Sequence, residues 1–245
     1  MAKVLGESGR YTSEESVKRF GKTIVFALIG LMLLSATVGY SFAKNKPLIS
    51  IPAMIVGGII FFFFYRKAMK HERYRFNYRR GADGEVRIGN ALGLLPDEYN
   101  VINDLKTEFG NIDHVVVGHS GVYVFDTKNW RGTITADEKG ELLVNGKPTD
   151  KPAIKILIGR VMSIKEKIRT LCGLDPYIQG VLVFPSARVD AKWGTTKAVH
   201  CITDEKLYDY IVGNKRPNKL SKKEIDSISR AFLALARMDS GFENK

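Results

Sequence analysis

Two long runs without a charged residue, separated by only four positions, are the feature that most limits how this chain can fold. Residues 23–43 form a run of 21 residues, and residues 48–65 form a run of 18. As α-helices they would extend about 32 Å and about 27 Å, close to the thickness of a bilayer's hydrocarbon core. Since residues 44–47 allow only a short connection, the pattern predicts a transmembrane helical hairpin with both ends on one side.

Positive charge is concentrated around this hairpin. Residues 1–80 contain 14 Lys and Arg against 4 Asp and Glu, whereas the rest of the chain contains 24 against 22. Because Lys and Arg accumulate on the cytoplasmic side of membrane proteins, we expect a multi-pass protein of the cytoplasmic membrane with both termini in the cytoplasm. Residues 1–22 are then a cytoplasmic segment, 66–80 a basic stalk along the lipid headgroups, and 81–245 a soluble domain. The pI near 9.6 is therefore weak support for a nucleic-acid partner.

Other interpretations of the hairpin stay open at this stage. Ser41-Phe42-Ala43 has the small-x-small form of a signal-peptide cleavage site, although the apolar run is long for one. A helix pair buried in a soluble protein, or a solvated linker at 66–80, would also fit. Gly57-Gly58 would allow close helix contact, and the hairpin itself could be the working part. Cys172 and Cys201 are expected to be free thiols in the cytoplasm.

The soluble part has the periodicity of an α/β domain. Pro96 ends a helix over 84–94, and Ser221 with Glu224 forms a capping box for the last helix. The order of helices and strands predicts a mixed sheet between helices. Strands are predicted at 99–105, 111–119, 122–128, 133–136, 142–144, 181–184 and 198–202, and further helices at 152–171, 206–212 and 221–238.

Acidic residues and a lysine fall where adjacent strands would bring them together. Asp126 and Lys128 are two positions apart on a predicted strand, so their side chains share a face. Asp113 lies on the preceding strand and Glu85 on the helix before the sheet. Mg²⁺ or Mn²⁺ needs only one or two carboxylates plus water, and a main-chain carbonyl such as that of Thr127 can add a ligand. Asp113, Asp126 and Thr127 are therefore candidate metal ligands.

This set of groups suits metal-assisted phosphodiester hydrolysis. The ion polarises a phosphoryl oxygen and lowers the pKa of water, and Lys128 would orient the water or neutralise charge on the phosphate. The Asp-x-Lys pattern alone is weak, because surface strands often pair such charges. His114 is expected to be a core histidine rather than a ligand, and Trp130 to pack under a loop rather than stack on a base.

The same region resembles the NERD (nuclease-related) domain. That family is assigned to the PD-(D/E)XK nuclease superfamily, so the resemblance implies a restriction-endonuclease-like fold and a Mg²⁺-dependent nuclease. It implies Glu85 as the helical acidic residue, Asp113 as the metal-binding aspartate, and Asp126 with Lys128 as the (D/E)-x-K pair. The motifs that carry it are GADGE (81–85), YNVINDL (99–105), IDHVVV (112–117), GVYVFDTKN (121–129), RGTI (131–134) and, more loosely, GVLVFP (180–185).

Two positions depart from the family pattern. Asp126 stands where glutamate is usual, which shortens the side chain by one methylene. Lys155 stands at the glutamine of the family's Pro-x-x-Gln, so it either contacts phosphate, marks a degenerate site, or is a surface lysine.

We therefore expect a membrane-anchored nuclease acting on nucleic acid, DNA in preference to RNA. Because the sequence contains no motor motif, any helicase partner would be a separate protein. The alternative is a non-catalytic module that binds nucleic acid or protein from a membrane anchor.

Overall fold

The computed structural model describes residues 1–44, 47–107, 110–191, 199–213 and 219–240. Two compact units are present: Met1–Arg10 with Gly81–Lys245, and Tyr11–Arg80. Asn45 and Lys46 of the hairpin connection, and Ala198 of the last predicted strand, lie outside the described residues.

The Tyr11–Arg80 unit consists of two long helices. Helix α1 spans Arg10–Lys44 and helix α2 spans Pro47–Gly93, so both extend beyond the unit. Each contains a window that is long and apolar enough to cross a membrane, which by itself is weak support for a membrane protein. Only 6% and 11% of these windows are buried inside the protein, whereas the core helix of a soluble protein would be mostly buried. The helical pair is therefore consistent with the predicted hairpin anchor.

Small residues and hydroxyl groups bring the two helices of this unit together. The Ser50 hydroxyl donates to the Ser41 carbonyl oxygen at 3.0 Å, and the Ser41 hydroxyl donates to the Ser50 carbonyl oxygen at 3.3 Å. A Cβ atom at Gly57 would lie 2.2 Å from Thr37 Oγ1, so only glycine fits at this crossing.

The basic stretch 66–80, which the sequence predicts as a stalk along the lipid headgroups, is helical. It is a continuous part of α2 and packs against the beginning of α1 through cation–π contacts. The Arg75 guanidinium lies 4.9 Å from the centre of the Phe20 ring, and that of Arg19 lies 5.6 Å from the Tyr74 ring. These contacts hold the basic stretch against α1.

The other unit is built around a six-stranded mixed sheet. Its order is β1-β2-β3-β4-β8-β10, antiparallel from β2 to β4 and parallel at β1–β2, β4–β8 and β8–β10. The strands of this sheet are β1 (Lys3–Leu5), β2 (Asn100–Thr107), β3 (Gly110–Gly118), β4 (Gly121–Thr127), β8 (Ile178–Phe184) and β10 (Val199–Thr203). Strand β1 was not predicted, and it joins the N-terminal residues to the domain assigned to 81–245.

A smaller sheet and the remaining helices complete this unit. The second sheet has the order β7-β6-β5-β9. Its strands are β5 (Gly132–Ala136), β6 (Leu142–Val144), β7 (Lys147–Pro148) and β9 (Ala187–Val189), of which β9 was not predicted. The helices are α3 (Ala153–Cys172), α4 (Leu207–Val212) after a 3-10 turn (Asp204–Lys206), and α5 (Lys222–Ser240).

Alternating side chains of the strands create a core on each face of the large sheet. On β4, Val122 and Val124 pack on the side of α3 and α5, whereas Tyr123 and Phe125 pack against Ile88 and its neighbours on α2. This period of two is that of a strand buried on both faces. The predicted α/β fold, a mixed sheet flanked by helices, is confirmed.

The predicted capping box of the last helix is present. The Ser221 N–H and hydroxyl donate to the Glu224 carboxylate at 2.8 and 2.6 Å. The Glu224 N–H returns a longer bond of 3.4 Å to the Ser221 hydroxyl. These bonds satisfy donors that helix geometry leaves open.

Candidate active site

The carboxylates of Asp113 and Asp126 meet where the pairing of β3 with β4 ends. The last residues paired there are His114 and Phe125, and one position further the same register sets Asp113 opposite Asp126. Opposite residues of an antiparallel pair share a face. The Thr127 N–H donates to Asp113 Oδ2 at 2.6 Å. The Asp113 carboxylate is therefore the acceptor for this N–H just beyond the last backbone pair of the two strands.

Two cationic side chains hold the Asp126 carboxylate. Lys128 Nζ forms an ion pair with Asp126 Oδ2, as expected for side chains on one face of a strand. Arg160 of α3 approaches the other oxygen, with Nη1 3.4 Å from Oδ1. The side chains of Lys128 and Arg160 are 27% and 24% exposed, and that of Asp126 is 11% exposed. Both cations therefore remain within reach of a ligand from solvent.

Glu85 completes the acidic group from helix α2. It is buried, with 5% of its surface exposed. Burial raises the pKa of Asp113 well above its usual value, and the negative charges of Asp126 and Glu85 raise it further. Lys128 and the Thr127 N–H offset only part of this. These interactions show that the predicted residues Glu85, Asp113, Asp126 and Lys128 lie in one electrostatic cluster.

Lys128 keeps its positive charge in this cluster. Burial acts to lower the pKa of its amine, but the nearby carboxylates of Asp126 and Asp113 outweigh that effect, and the pKa is raised. The hydrogen bond to Asp126 acts in the same direction. Lys128 is thus an ammonium group at neutral pH, held against an acidic pair.

Comparison with known proteins agrees with this arrangement. Residues 80–185 match the sequence profile of the nuclease-related domain family. The chain contains a NERD domain. Over 73 residues the chain is 36% identical to an uncharacterized protein of Bacillus anthracis, a match that covers 27% of this chain and 34% of that protein. The chain therefore spans about a third of that relative's length. No solved structure matches.

The donor set of the NERD domain fits a hard divalent cation with few protein ligands. Among the described residues, no group of three or more His, Cys, Asp or Glu is arranged to hold a metal ion. Asp113 and Asp126 are both buried residues and provide two carboxylates. Mg²⁺ keeps several waters and accepts one or two carboxylates, so two aspartates with a carbonyl such as that of Thr127 match Mg²⁺ or Mn²⁺ better than Zn²⁺.

The two aromatic candidates have structural roles. His114 is fully buried, and its Nδ1 lies 2.8 Å from Asn103 Oδ1. Burial lowers the pKa of His114 to about 3, against the opposing effect of Asp126. Trp130 packs on Phe184, with 5.8 Å between ring centres. Both outcomes agree with the predictions of core packing.

Helix α3 contributes a residue that the sequence did not identify. Lys155, at the position of the family's glutamine, is exposed at the first turn, and its N–H donates to Glu141. Arg160 instead reaches Asp126. Helical spacing is the sequence signal that could have identified Arg160. Leu157, Ile164 and the other buried residues of α3 form its core face, and Arg160 lies beside that face.

Proposed function

We propose that the protein is a membrane-anchored, Mg²⁺- or Mn²⁺-dependent nuclease that hydrolyses phosphodiester bonds of DNA, or of RNA, at the cytoplasmic face of the membrane. The observation that carries the proposal is the meeting of Asp113, Asp126 and Lys128 at the end of the β3–β4 pairing, beside Glu85. The NERD match gives this cluster a nuclease-related setting.

Each side chain has a distinct part in this proposal. Asp113 and Asp126 would hold the cation, with the carbonyl of Thr127 as a further ligand. When bound, the cation polarises a phosphoryl oxygen and makes water a stronger nucleophile. Lys128 neutralises charge that develops on the phosphate and orients the attacking water. Glu85, buried beside Asp113, keeps the acidic pair attractive to a cation.

Cleavage assays on the full-length protein in detergent test the activity. Residues 1–80 should be kept, since β1 pairs with β2 and a protein beginning at residue 81 would lack that strand. With DNA or RNA and Mg²⁺ or Mn²⁺, we expect Asp126→Asn and Lys128→Met to lower the cleavage rate at least about 100-fold. Asp150→Asn and Lys139→Met remove the same charges at exposed positions and should leave the rate unchanged.

Two results would contradict the activity. Cleavage that survives in both site variants would show a contaminant or another site. Absence of cleavage by the unaltered protein across single-stranded and double-stranded substrates would favour the alternative, a non-catalytic module on a membrane anchor. Lys155 in place of the family glutamine is the observation that favours this alternative. Nucleic-acid binding that is independent of divalent cations would support it.

The membrane location is tested separately. Both helices of the Tyr11–Arg80 unit are apolar and mostly exposed within the protein. The hairpin connection contains only two positive charges, Lys44 and Lys46, of the 14 Lys and Arg in residues 1–80. We expect the protein to stay in the membrane fraction after carbonate extraction. A reporter enzyme that works only in the cytoplasm should be active when fused to the C-terminus. Release by carbonate, or an inactive reporter at the C-terminus of a protein that is present in the membrane, would refute the proposed topology.

A further inference from the structure

Arg160 is the side chain by which α3 reaches the acidic cluster. Its Nη1 lies 3.4 Å from Asp126 Oδ1, a long separation for a charge-assisted hydrogen bond. Its Nη2 lies over Gly110, where an added Cβ would come within 3.1 Å. Glycine at 110 therefore leaves room for the guanidinium beside strand β3.

The guanidinium has donors that the described residues do not use. An arginine side chain carries five N–H donors. The bond to Asp126 uses one of them weakly, and Nε is buried without a hydrogen-bond partner among the described residues. A buried donor without a partner is costly. About a quarter of the Arg160 side chain is exposed, so an anionic ligand can approach donors other than the buried Nε.

A phosphodiester has the right charge and shape for this position. Guanidinium groups bind two phosphate oxygens through parallel N–H bonds. Lys128 and Arg160 lie on the two oxygens of the same Asp126 carboxylate, so one phosphate near Asp126 would meet both cations. Lys155 is less suitable, because the Glu141 carboxylate receives its N–H at 2.8 Å and sets a negative charge beside it.

We propose that Arg160 binds the non-bridging oxygens of the phosphodiester that is cleaved. The inference rests on the proposed nuclease function and names the residue that recognises its substrate class.

If Arg160 only positions the Asp126 carboxylate, removing Arg160 should have no effect once that carboxylate is gone. The Asp126→Asn background therefore separates this positioning role from direct binding of phosphate. In Asp126→Asn the negative charge that Arg160 faces is gone. We expect Asp126→Asn/Arg160→Gln to bind a fluorescent DNA duplex, in EDTA, at least about tenfold more weakly than Asp126→Asn. The slope of log affinity against log salt should fall by about one.

Charge-retaining and neighbouring variants complete the experiment. Arg160→Lys in the same background should restore the salt slope, since the positive charge remains. In an otherwise unaltered protein it should still cleave more slowly with Mg²⁺, because the planar fork is lost. Lys155→Ala should match the unaltered protein in both assays. Thermal unfolding of every variant shows whether a loss of binding or cleavage comes from misfolding. If Arg160→Gln misfolds, the comparison with Arg160→Lys tests the role of Arg160.

The results separate this inference from the proposed function. Equal binding and equal salt slopes for Asp126→Asn with and without Arg160→Gln would overturn the role of Arg160, whether or not the unaltered protein cleaves. A loss confined to Lys155→Ala would overturn it as well. An unaltered protein that neither binds nor cleaves DNA or RNA would overturn the proposed function, and this inference with it.

Discussion

Helix α3 begins without a capping side chain of its own, and Glu141, the residue before strand β6, supplies the acceptor. Pro152 at the N-cap makes no side-chain hydrogen bond, and the first turn contains no acidic residue. The Ile154 N–H donates to Glu141 Oε2 at 3.2 Å, and the Lys155 N–H donates to Oε1 at 2.8 Å. Removing this carboxylate leaves two helix-start N–H groups without their acceptor and takes a negative charge from the positive end of the helix dipole.

The loss in stability can be worked out from these two contacts. An N-cap deletion costs about 1 kcal/mol, and a charge at the first turn adds roughly 0.3–1 kcal/mol. We therefore expect Glu141→Ala to lower the free energy of unfolding by about 1–2 kcal/mol. For a domain of this size that corresponds to a fall in Tm of about 2–8 °C. Glu141→Gln keeps one acceptor oxygen and should lose half of this or less.

The measurement is thermal unfolding of the full-length protein in detergent, followed by tryptophan fluorescence. Glu138→Ala is the matched control, because it removes the same charge from an exposed position in the same turn. Its Tm should stay within about 1 °C of the unaltered protein. The reasoning is refuted if Glu141→Ala behaves like this control, or if Glu141→Gln is as damaging as Glu141→Ala.

Three further outcomes are expected. The raised pKa of Asp113 means that its ionised form destabilises the fold. In EDTA, stability should therefore fall as the pH rises above the usual aspartate value, and Asp113→Asn should raise the Tm at neutral pH while abolishing cleavage. An unchanged Tm would contradict this. Gly118→Val should lower the Tm strongly, because an added Cβ would lie 2.1 Å from the Tyr99 ring; a Tm equal to that of the unaltered protein would contradict it. Burial raises the pKa of the Cys201 thiol to about 12, so a thiol reagent at pH 8 should label Cys172 first and Cys201 only on unfolding, as mass spectrometry of the labelled peptides would show.

The strands of the domain were predictable where the pattern is local. The alternation along β4 and the β-branched run of β3 predicted both strands and their hairpin. Strand β1 has only three residues. Its pairing with β2 brings together Val4 and Val101, which are almost a hundred positions apart in the sequence. No local pattern marks such a pairing, because its stability comes from the sheet it joins.

Helix α2 was divided in the prediction and is continuous in the structure. The sequence changes from apolar to basic after residue 65, and this change predicts the end of one helix. That change alters which solvent the side chains prefer, but it does not interrupt the backbone hydrogen bonds. No proline lies between residue 53 and residue 95, so the chain lacks the residue that most strongly ends a helix.

The acidic cluster was predictable because, like strands β3 and β4, it depends on a local pattern. Asp113, Asp126 and Lys128 depend on one hairpin register, and Glu85 was placed by its position on the helix before the sheet, in agreement with the family resemblance. Arg160 is 34 positions from Asp126, and their contact requires α3 to dock on the sheet at one particular angle. The resemblance pointed to Lys155 instead. Sequence position alone cannot tell which basic residue of a helix faces a site when docking decides it.

The electrostatics of Asp113 bear on the choice between a nuclease and a passive module. A carboxylate buried beside Asp126 and Glu85, with its pKa raised by burial and by both neighbours, lowers the stability of the fold at neutral pH. Such a cost is expected where a site must bind a cation, and nothing in the packing of a scaffold requires it. If the cluster exists for a divalent ion, Mg²⁺ or Mn²⁺ should raise the Tm of the unaltered protein and leave that of Asp113→Asn unchanged. Equal shifts in both proteins would remove this argument for the nuclease.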